Sequence, residues 1–438
     1  MTRTLGHGRR ISLVAAAIAI LAGLSGPSLK AATVSVGNCI AGGIHFPTIQ
    51  AAVSGVAAGS TIRVCPGNYP EQVVINKNLT LRGVESDNAF NPTLVIPSPG
   101  GFVTNSSSLT SGAPLAAQIL VESPATEVEI SDLAVDGAGN NLNTGCSDPR
   151  LIGIYFQNAS GTINYVVARN QAQNTANFGC AGSAGLGIFV QSAGPSTPAD
   201  VTIRNSTVYG YQKNGITANE TGTTVRVRGN SVVGAGPVGV AQNGIQVGFG
   251  ATGIVENNTV ADDVSNGDPA AGTGSGILIY DSGDVSIRGN SVAFTQTGIA
   301  IVTDGNQSDN NNTIINNQVV NSQYGDGIDL CSNGNTVISN TVFSSSRSGI
   351  HLDGSCSSTS TGNNNTVSRN VVNDACAGIL LGSGAGNKFF IGNTFANVAN
   401  TTLAGDTCST VVVPEVHANS QISSPGRSTS PVRLKVRY

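Results

Sequence analysis

The chain has 438 residues, a formal charge of −4, only 11% charged residues, 56 glycines, no Trp and one Met. A chain this long usually divides into two or three domains, but a repeat protein escapes that count because each repeat contacts only its neighbours. The acidic balance counts against nucleic acid and against an anionic membrane surface as partners, and makes a polyanionic sugar an awkward one unless a cation bridges.

At the N-terminus Arg9 and Arg10 precede a run of 12 apolar residues, Leu13–Leu24, and small residues follow at Gly26, Ser28, Ala31 and Ala32. Such a run is too short to span a bilayer and has the form of a signal peptide over residues 1–32. Cleavage near Ala32 removes Arg3, Arg9, Arg10 and Lys30 and no acid, taking the formal charge from −4 to −8. No later stretch has the length and apolarity of a transmembrane helix, so the expected location is secreted, periplasmic or cell-surface. Export suits the eight cysteines: Cys39, Cys65, Cys146, Cys180, Cys331, Cys356, Cys376 and Cys408. An even count in an exported chain favours disulfides. None forms a C-x-x-C pair, so no zinc or other metal site is expected from them. The pairing that suits stacked repeats joins nearest neighbours, 39–65, 146–180, 331–356 and 376–408.

Residues 33–83 open the fold. Thr48–Val56 places Ile49, Ala52, Val53 and Val56 on one helical face and predicts a short amphipathic helix. Short strands are expected at Thr61–Cys65, Gln72–Ile75 and Leu79–Gly83, with a Pro-Gly-Asn turn after the first. Residues 84–150 read as early irregular repeats with loops, and as strands near Leu94–Ile96, Gln118–Val121 and Val128–Val135. Residues 151–398 carry a regular repeat. Gly-Ile pairs recur at 153, 187, 215, 244, 276, 298, 327, 349 and 378, and Asn-x-Val or Asn-x-Phe phrases interleave at Asn205, Asn230, Asn258, Asn290, Asn317, Asn340, Asn370 and Asn393. Each phrase is too short for a helix and alternates with period two. A unit recurring every 20–30 residues marks a solenoid. The expected coil has three short strands stacked in parallel on the next coil about 4.8 Å away, wound right-handed by the chirality of parallel crossovers. Nine such coils make a rod about 43 Å long. In it each Ile points inward, each Asn joins a side-chain ladder, and the Gly before Ile supplies a turn with positive φ. Residues 399–438 leave the pattern: Ser423–Pro431 is linker-like, and the alternating V-R-L-K-V-R-Y end reads as a flexible tail with one local strand.

The opening sequence F-P-T-I-Q-A-A-V, with G-S-T-I-R-V-C-P-G-N-Y-P-E-Q-V-V-I-N-K-N-L-T-L-R-G after it, resembles the entry to right-handed parallel β-helix proteins of the pectin-lyase-like group. Pectin methylesterases and copper-chaperone-like periplasmic β-helix proteins begin in this way. The likeness covers about 45 residues and implies an all-β, right-handed parallel β-helix solenoid with a short N-terminal capping helix. It lies at the cap, away from the coils that carry chemistry in such proteins.

Candidate chemistry concentrates on two adjacent repeats. Positions two and four after the repeat Gly should face outward, which gathers Asp326, Asp329, His351 and Asp353 on one outer sheet, with Asp281 and Asp304 at turns of preceding coils. A carboxylate pair with a nearby His is suited to general acid and base work on a glycosidic bond. D-G-I-D (Asp326–Asp329) resembles part of the T-D-G-I-D segment of polygalacturonase-type glycoside hydrolases, but that family's Asp-Asp pair, G-H-G and R-I-K segments are absent. So are the D-P-H-E motif of alginate epimerases and a pectate-lyase-like set of calcium-binding acids followed by a catalytic Arg. Arg347 lies near the cluster, with nothing to mark it as a base. Aspartate before Gly at a turn, and a His on an exposed strand, also have an ordinary structural explanation. The run Asp304–Asn312 offers oxygen ligands for Ca²⁺ without EF-hand spacing, so no cofactor is assigned. Tyr155, Phe156, Phe189, Tyr209, Tyr211, Phe249, Tyr280 and Tyr324 are candidate surface aromatics, with Tyr280 and Tyr324 nearest the acids and so expected to bind substrate.

Together these features point to a secreted protein that binds an extracellular polysaccharide and, in the stronger form, cleaves it by lyase or glycoside hydrolase chemistry. The alternative is a non-catalytic cell-surface or matrix protein using the solenoid as a stiff rod. A copper-delivery role is disfavoured by one Met and four His.

Overall fold

The structure is a computed structural model. It describes residues 30–84, 93–142, 149–173, 185–266, 274–305, 310–323, 325–353, 362–382, 388–405 and 408. The expected signal peptide, Tyr324, the 146–180 disulfide, Cys356, residues 306–309 of the Asp/Asn run and the tail beyond residue 408 lie outside the described residues.

The first coils follow from local sequence. Thr48 caps the predicted helix, Ile49–Gly55, by accepting from the Ala51 N–H, and the Glu71 carboxylate accepts from the Ile49 and Gln50 N–H groups at 2.8 Å each. These bonds satisfy donors that a helix start leaves open. The inner face of the helix, Ile49, Ala52 and Val53, closes the end of the core. Ahead of it, Thr33–Val36 pairs in parallel with Ser60–Val64. The expected Pro-Gly-Asn turn is instead the start of a strand, Gly67–Pro70, paired with Thr93–Ile96.

Each coil then repeats three strands. A representative coil runs Thr223–Arg228, Ser231–Val238 and Asn243–Gly248, and its strands pair with Thr252–Glu256, Thr259–Ser265 and Ser275–Tyr280 of the next coil. We call these positions the first, second and third faces. The first face is a continuous 14-stranded sheet, and the other two interleave in a 22-stranded sheet. All the coil-to-coil pairings are parallel, which makes the architecture a parallel β-helix. From Thr341–Leu352 onward the second- and third-face strands fuse into one, and the last strand runs to Ala404.

Period-two alternation fills the interior. Val225 and Val227 point inward while Arg226 and Arg228 point out. The isoleucines after each repeat Gly are buried and stacked in register, Ile188 on Ile216, Ile216 on Ile245, and so on to Ile350 on Ile379. They form part of one core that runs the length of the solenoid. The expected asparagine ladder is present from Asn230 to Asn393. Each side-chain amide donates to the next carbonyl oxygen at 2.9–3.0 Å through Asn258, Asn290, Asn317, Asn340 and Asn370. Asn205 does not belong to it: Ser206 takes the ladder position, its N–H donating to the Asn230 side-chain oxygen, and Asn205 donates to Asn164 instead.

The repeat glycines have another role than the one expected. None has positive φ. A Cβ at Gly215, Gly244, Gly276, Gly298 or Gly327 would stand 2.2–2.4 Å from Cγ1 of Val232, Val260, Val292, Val319 or Val342. Glycine is therefore required because the valine of the following Asn-x-Val phrase packs directly on its backbone. The left-handed turn lies one residue before each ladder Asn, at Gly229, Asn257, Gly289, Asn316, Ser339, Arg369 and Gly392.

Two expected disulfides are formed, Cys39–Cys65 and Cys376–Cys408. Cys331 is disulfide-bonded as well.

Candidate active site

The outward row of the third face carries, coil by coil, Tyr155, Phe189, Thr217, Gln246, Leu278, Ala300, Asp329, His351 and Leu380. At its start this row is roofed. Ser106–Ser107 pairs antiparallel with Pro114–Glu122, and the Leu109 N–H donates to Gln191. Under that loop Tyr155 and Phe189 stack at 4.8 Å and are buried. Phe156 and Tyr211 are buried too, inside the core. These four aromatics are therefore not surface residues; burial by a segment or coil distant in sequence was not visible in their own surroundings. Phe249 and Tyr280 do remain near the surface, in contact at 5.2 Å.

Further along the row the acids gather as expected, around a residue that the sequence did not mark. Asp326 precedes the strand Ile328–Cys331, and Asp329 stands in register with His351. A bulge between Ser345 and Ser348 in Thr341–Leu352 breaks the pairing register. The extra length turns Arg347 back onto Asp326, the re-aiming that β-bulges produce. Nε of Arg347 donates to both Asp326 oxygens at 3.0 and 3.1 Å, and Nη2 donates to Oδ2 at 2.6 Å. Ser348 adds its N–H at 3.1 Å and its hydroxyl at 2.6 Å. Asp326 is thus a carboxylate with every lone pair engaged and only 3% of its side chain exposed.

His351 was expected on an exposed face and is instead buried, its side chain 1% exposed. Its Nδ1 lies 3.1 Å from Asp329 Oδ1 and 3.4 Å from Asp326 Oδ2, and Arg347 Nη2 lies 2.6 Å from the same nitrogen. The carboxylates call for a proton on Nδ1, whereas the arginine contact calls for a bare lone pair, so the two interactions compete for one atom. Burial works against the imidazolium, but its bonds to Asp326 and Asp329 outweigh that and raise the pKa to about 10. Burial also favours protonated Asp326, yet His351 and Arg347 hold it well below the usual carboxylate range. Asp329 is raised, chiefly by burial, with Asp326 and Asp353 adding to it against the His351 bond. With Arg347 and His351 facing Asp326 and Asp329, the four charges balance. His351 Nε2 is buried and makes no hydrogen bond.

The cluster opens to solvent at Asp329, 23% exposed, and at Arg347, 29% exposed. Asp353, half-buried, follows the strand at its edge. One and two coils earlier, Asp281 accepts from the Thr303 hydroxyl and the Asp304 N–H, and burial with the adjoining Asp304 carboxyl pushes its pKa up to about 6. Asp326, Asp329 and His351 each offer a ligand atom within 4.8 Å of the others. A divalent cation there would have to displace the guanidinium of Arg347, which already supplies the positive charge, so the residues do not form a ready metal site.

Comparison with known proteins agrees with the architecture. Residues 238–395 match the family model described as a right-handed β-helix region. The A-module of the mannuronan C-5 epimerase AlgE4 from Azotobacter vinelandii is similar over 83% of this chain and 94% of its own, with a TM-score of 0.55 and 17% identity. The GH136 lacto-N-biosidase from Eubacterium ramulus is similar over 84% of this chain and 67% of its own, with a TM-score of 0.50 and 11% identity. No curated protein matches by sequence. The chain is a right-handed parallel β-helix protein. Among the described residues no helix is long and apolar enough to cross a membrane.

Proposed function

We propose that the chain binds an extracellular polysaccharide along the outer side of its third face and acts on it at Asp329, which His351 and Asp326 hold in place and Arg347 flanks at the rim. The observation that carries this reading is the buried Asp326–Arg347–His351–Asp329 network, which reaches solvent at Asp329. Charged side chains removed from water in this way and paired across adjacent coils are a mark of functional sites. The two solved proteins of like fold named above carry names that place saccharides first among the substrates to try.

The geometry favours lyase over hydrolase chemistry. Hydrolysis with inversion needs carboxyls roughly 6.5–9.5 Å apart and hydrolysis with retention about 5–5.5 Å; the oxygens here lie within 4.8 Å, too close for the first and near the second. Asp326 is in any case committed to Arg347 and Ser348. Elimination asks for one base, one proton donor and a cation beside the sugar's carboxylate. Asp329 is the base that would take the proton α to a uronate carboxyl, the C–O bond to the leaving sugar breaks, and the protonated Asp329, the carboxyl that reaches solvent, returns that proton to the leaving oxygen, while buried His351 keeps Asp329 ionised beforehand. Arg347, at the rim, would face the carboxylate. The substrate class is then an acidic polysaccharide, and the product carries a new double bond.

The test incubates the purified mature protein with acidic and neutral polysaccharides, with and without Ca²⁺, and follows unsaturated products and reducing ends separately. Unsaturated ends that vanish in both Asp329→Asn and His351→Gln support the assignment. Turnover that survives both variants removes it. Binding without turnover of any polymer would favour the non-catalytic rod.

A further inference from the structure

The first face carries a feature that net charge conceals. Six of the ten arginines among the described residues, Arg63, Arg82, Arg204, Arg226, Arg228 and Arg288, lie on its strands, and all six are exposed. The parallel register stacks them. Arg63 stands on Arg82, and further along Arg204 stands on Arg228, Arg228 on Glu256, and Glu256 on Arg288. Arg226 lies beside this row, opposite Thr202. The row from Arg204 to Arg288 spans three coil steps, about 14 Å.

Its charges are only partly neutralised. Glu256 sits between two arginines, 2.7 Å from Arg288 and 3.6 Å from Arg228. Arg204 and Arg226 make no ion pair among the described residues. Asp132 pairs with Arg82 at 2.9 Å, and other acids of this face are Glu129, Asp200 and Asp284, all exposed.

We propose that this stripe is a second binding surface, which holds an acidic polysaccharide extended along the rod axis. The coil step of about 4.8 Å is close to the length of one sugar unit in an extended chain, so acid groups of such a chain would meet Arg204 and Arg228 in succession and, past Glu256, Arg288. Guanidinium groups recognise carboxylate and sulfate in paired hydrogen bonds, and long arginine side chains tolerate small mismatches in step. A nucleic acid fits less well. The outer row from Arg204 to Arg288 has no aromatic side chain on which bases would stack, and the remainder of the chain is acidic. The stripe is separate from the Asp329 cluster, which lies on another face, so the proposal stands whether or not that cluster reacts.

Binding is measured with the full mature chain on immobilised polygalacturonate, on its methyl-esterified form, and on single-stranded DNA, across a salt series. The expected result is binding to polygalacturonate that salt weakens, with little binding to the ester or to DNA. Arg204→Gln/Arg226→Gln should weaken it about tenfold, the scale of two to three exposed ion pairs. Glu256→Gln, which frees Arg228 and Arg288, should strengthen it severalfold. These opposite signs separate recognition from misfolding, and far-UV circular dichroism checks each variant. Equal binding of the esterified polymer, equal binding of DNA, or unchanged affinity in the double variant would each overturn the proposal.

Discussion

Replacing Arg347 by Gln tests whether the cluster is held as described. The substitution removes three close N–H contacts from Asp326 and leaves the carboxylate with Ser348 and His351. Removing one member of a buried ion pair costs about 3–5 kcal/mol. Arg347 retains 29% exposure, which brings the expectation to about 2–3 kcal/mol after solvent screening. Asp326→Asn should cost less, because the arginine it releases can reach water. The double variant should fall close to Asp326→Asn alone, giving a coupling above about 1 kcal/mol. The pH dependence has a definite sign. The pKa of Asp326 is depressed in the folded protein, so its contribution is fully present above the unfolded carboxylate value of about 3.9 and is lost as pH falls toward the folded value. The gap between wild type and Arg347→Gln should therefore narrow on acidification. Urea midpoints by far-UV circular dichroism measure it, the gap staying level from pH 7 to about 4 and then falling toward about pH 2. A gap under about 0.5 kcal/mol, the scale of an ordinary surface pair, or one that does not change with pH, would refute the reasoning.

The glycine correction predicts that Gly276→Ala costs about 1–3 kcal/mol by overpacking, since its Cβ would stand 2.4 Å from Val292 Cγ1. Val292→Ala in the same chain should recover part of that loss, which thermal melting of the single and double variants would show. Asn290→Ala deletes amide bonds to Val255 and Asn317 and the oxygen that receives Asn258, for about 2–4 kcal/mol from buried groups left unpaired. Asn205→Ala, outside the ladder, should cost under about 1 kcal/mol, and equal losses at the two positions in urea titrations would contradict the ladder assignment.

The architecture was legible because it depends on period and side-chain type. Isoleucine after Gly can only be buried if the strand alternates, and Asn at a fixed coil position bonds its own copy in the next coil whatever lies between. The role of Gly was misread because close approach and positive φ leave the same residue in the sequence. The valine that decides between them, Val292 for Gly276, lies 16 residues away. Tyr155 and Phe189 were misplaced because the loop that covers them starts some 50–80 residues earlier. In the candidate site, Asp326, Asp329 and His351 were placed together by repeat spacing alone. Arg347 was placed near them without a role, since its direction onto Asp326 comes from a bulge, and a bulge changes where a side chain points without changing the repeat's recognisable phrases.

Charge shows the same limit in another form. A formal charge of −4 argues against a polyanion only where charge is spread evenly over the surface. In a parallel solenoid it need not be, because each residue lies over its counterpart one coil away. Arg204, Arg228 and Arg288 are 24 and 60 residues apart in the chain yet fall on one line. Asp326, Asp329 and Asp353 fall on another face, where they face an arginine and a histidine. The acidic total and a basic stripe are therefore compatible, and each face carries its own charge balance. On the first face it reverses: exposed guanidinium groups outnumber the carboxylates beside them. On the third face Arg347 and His351 offset Asp326 and Asp329 and leave the carboxylate of Asp353 over, so there the acidic total holds locally as well.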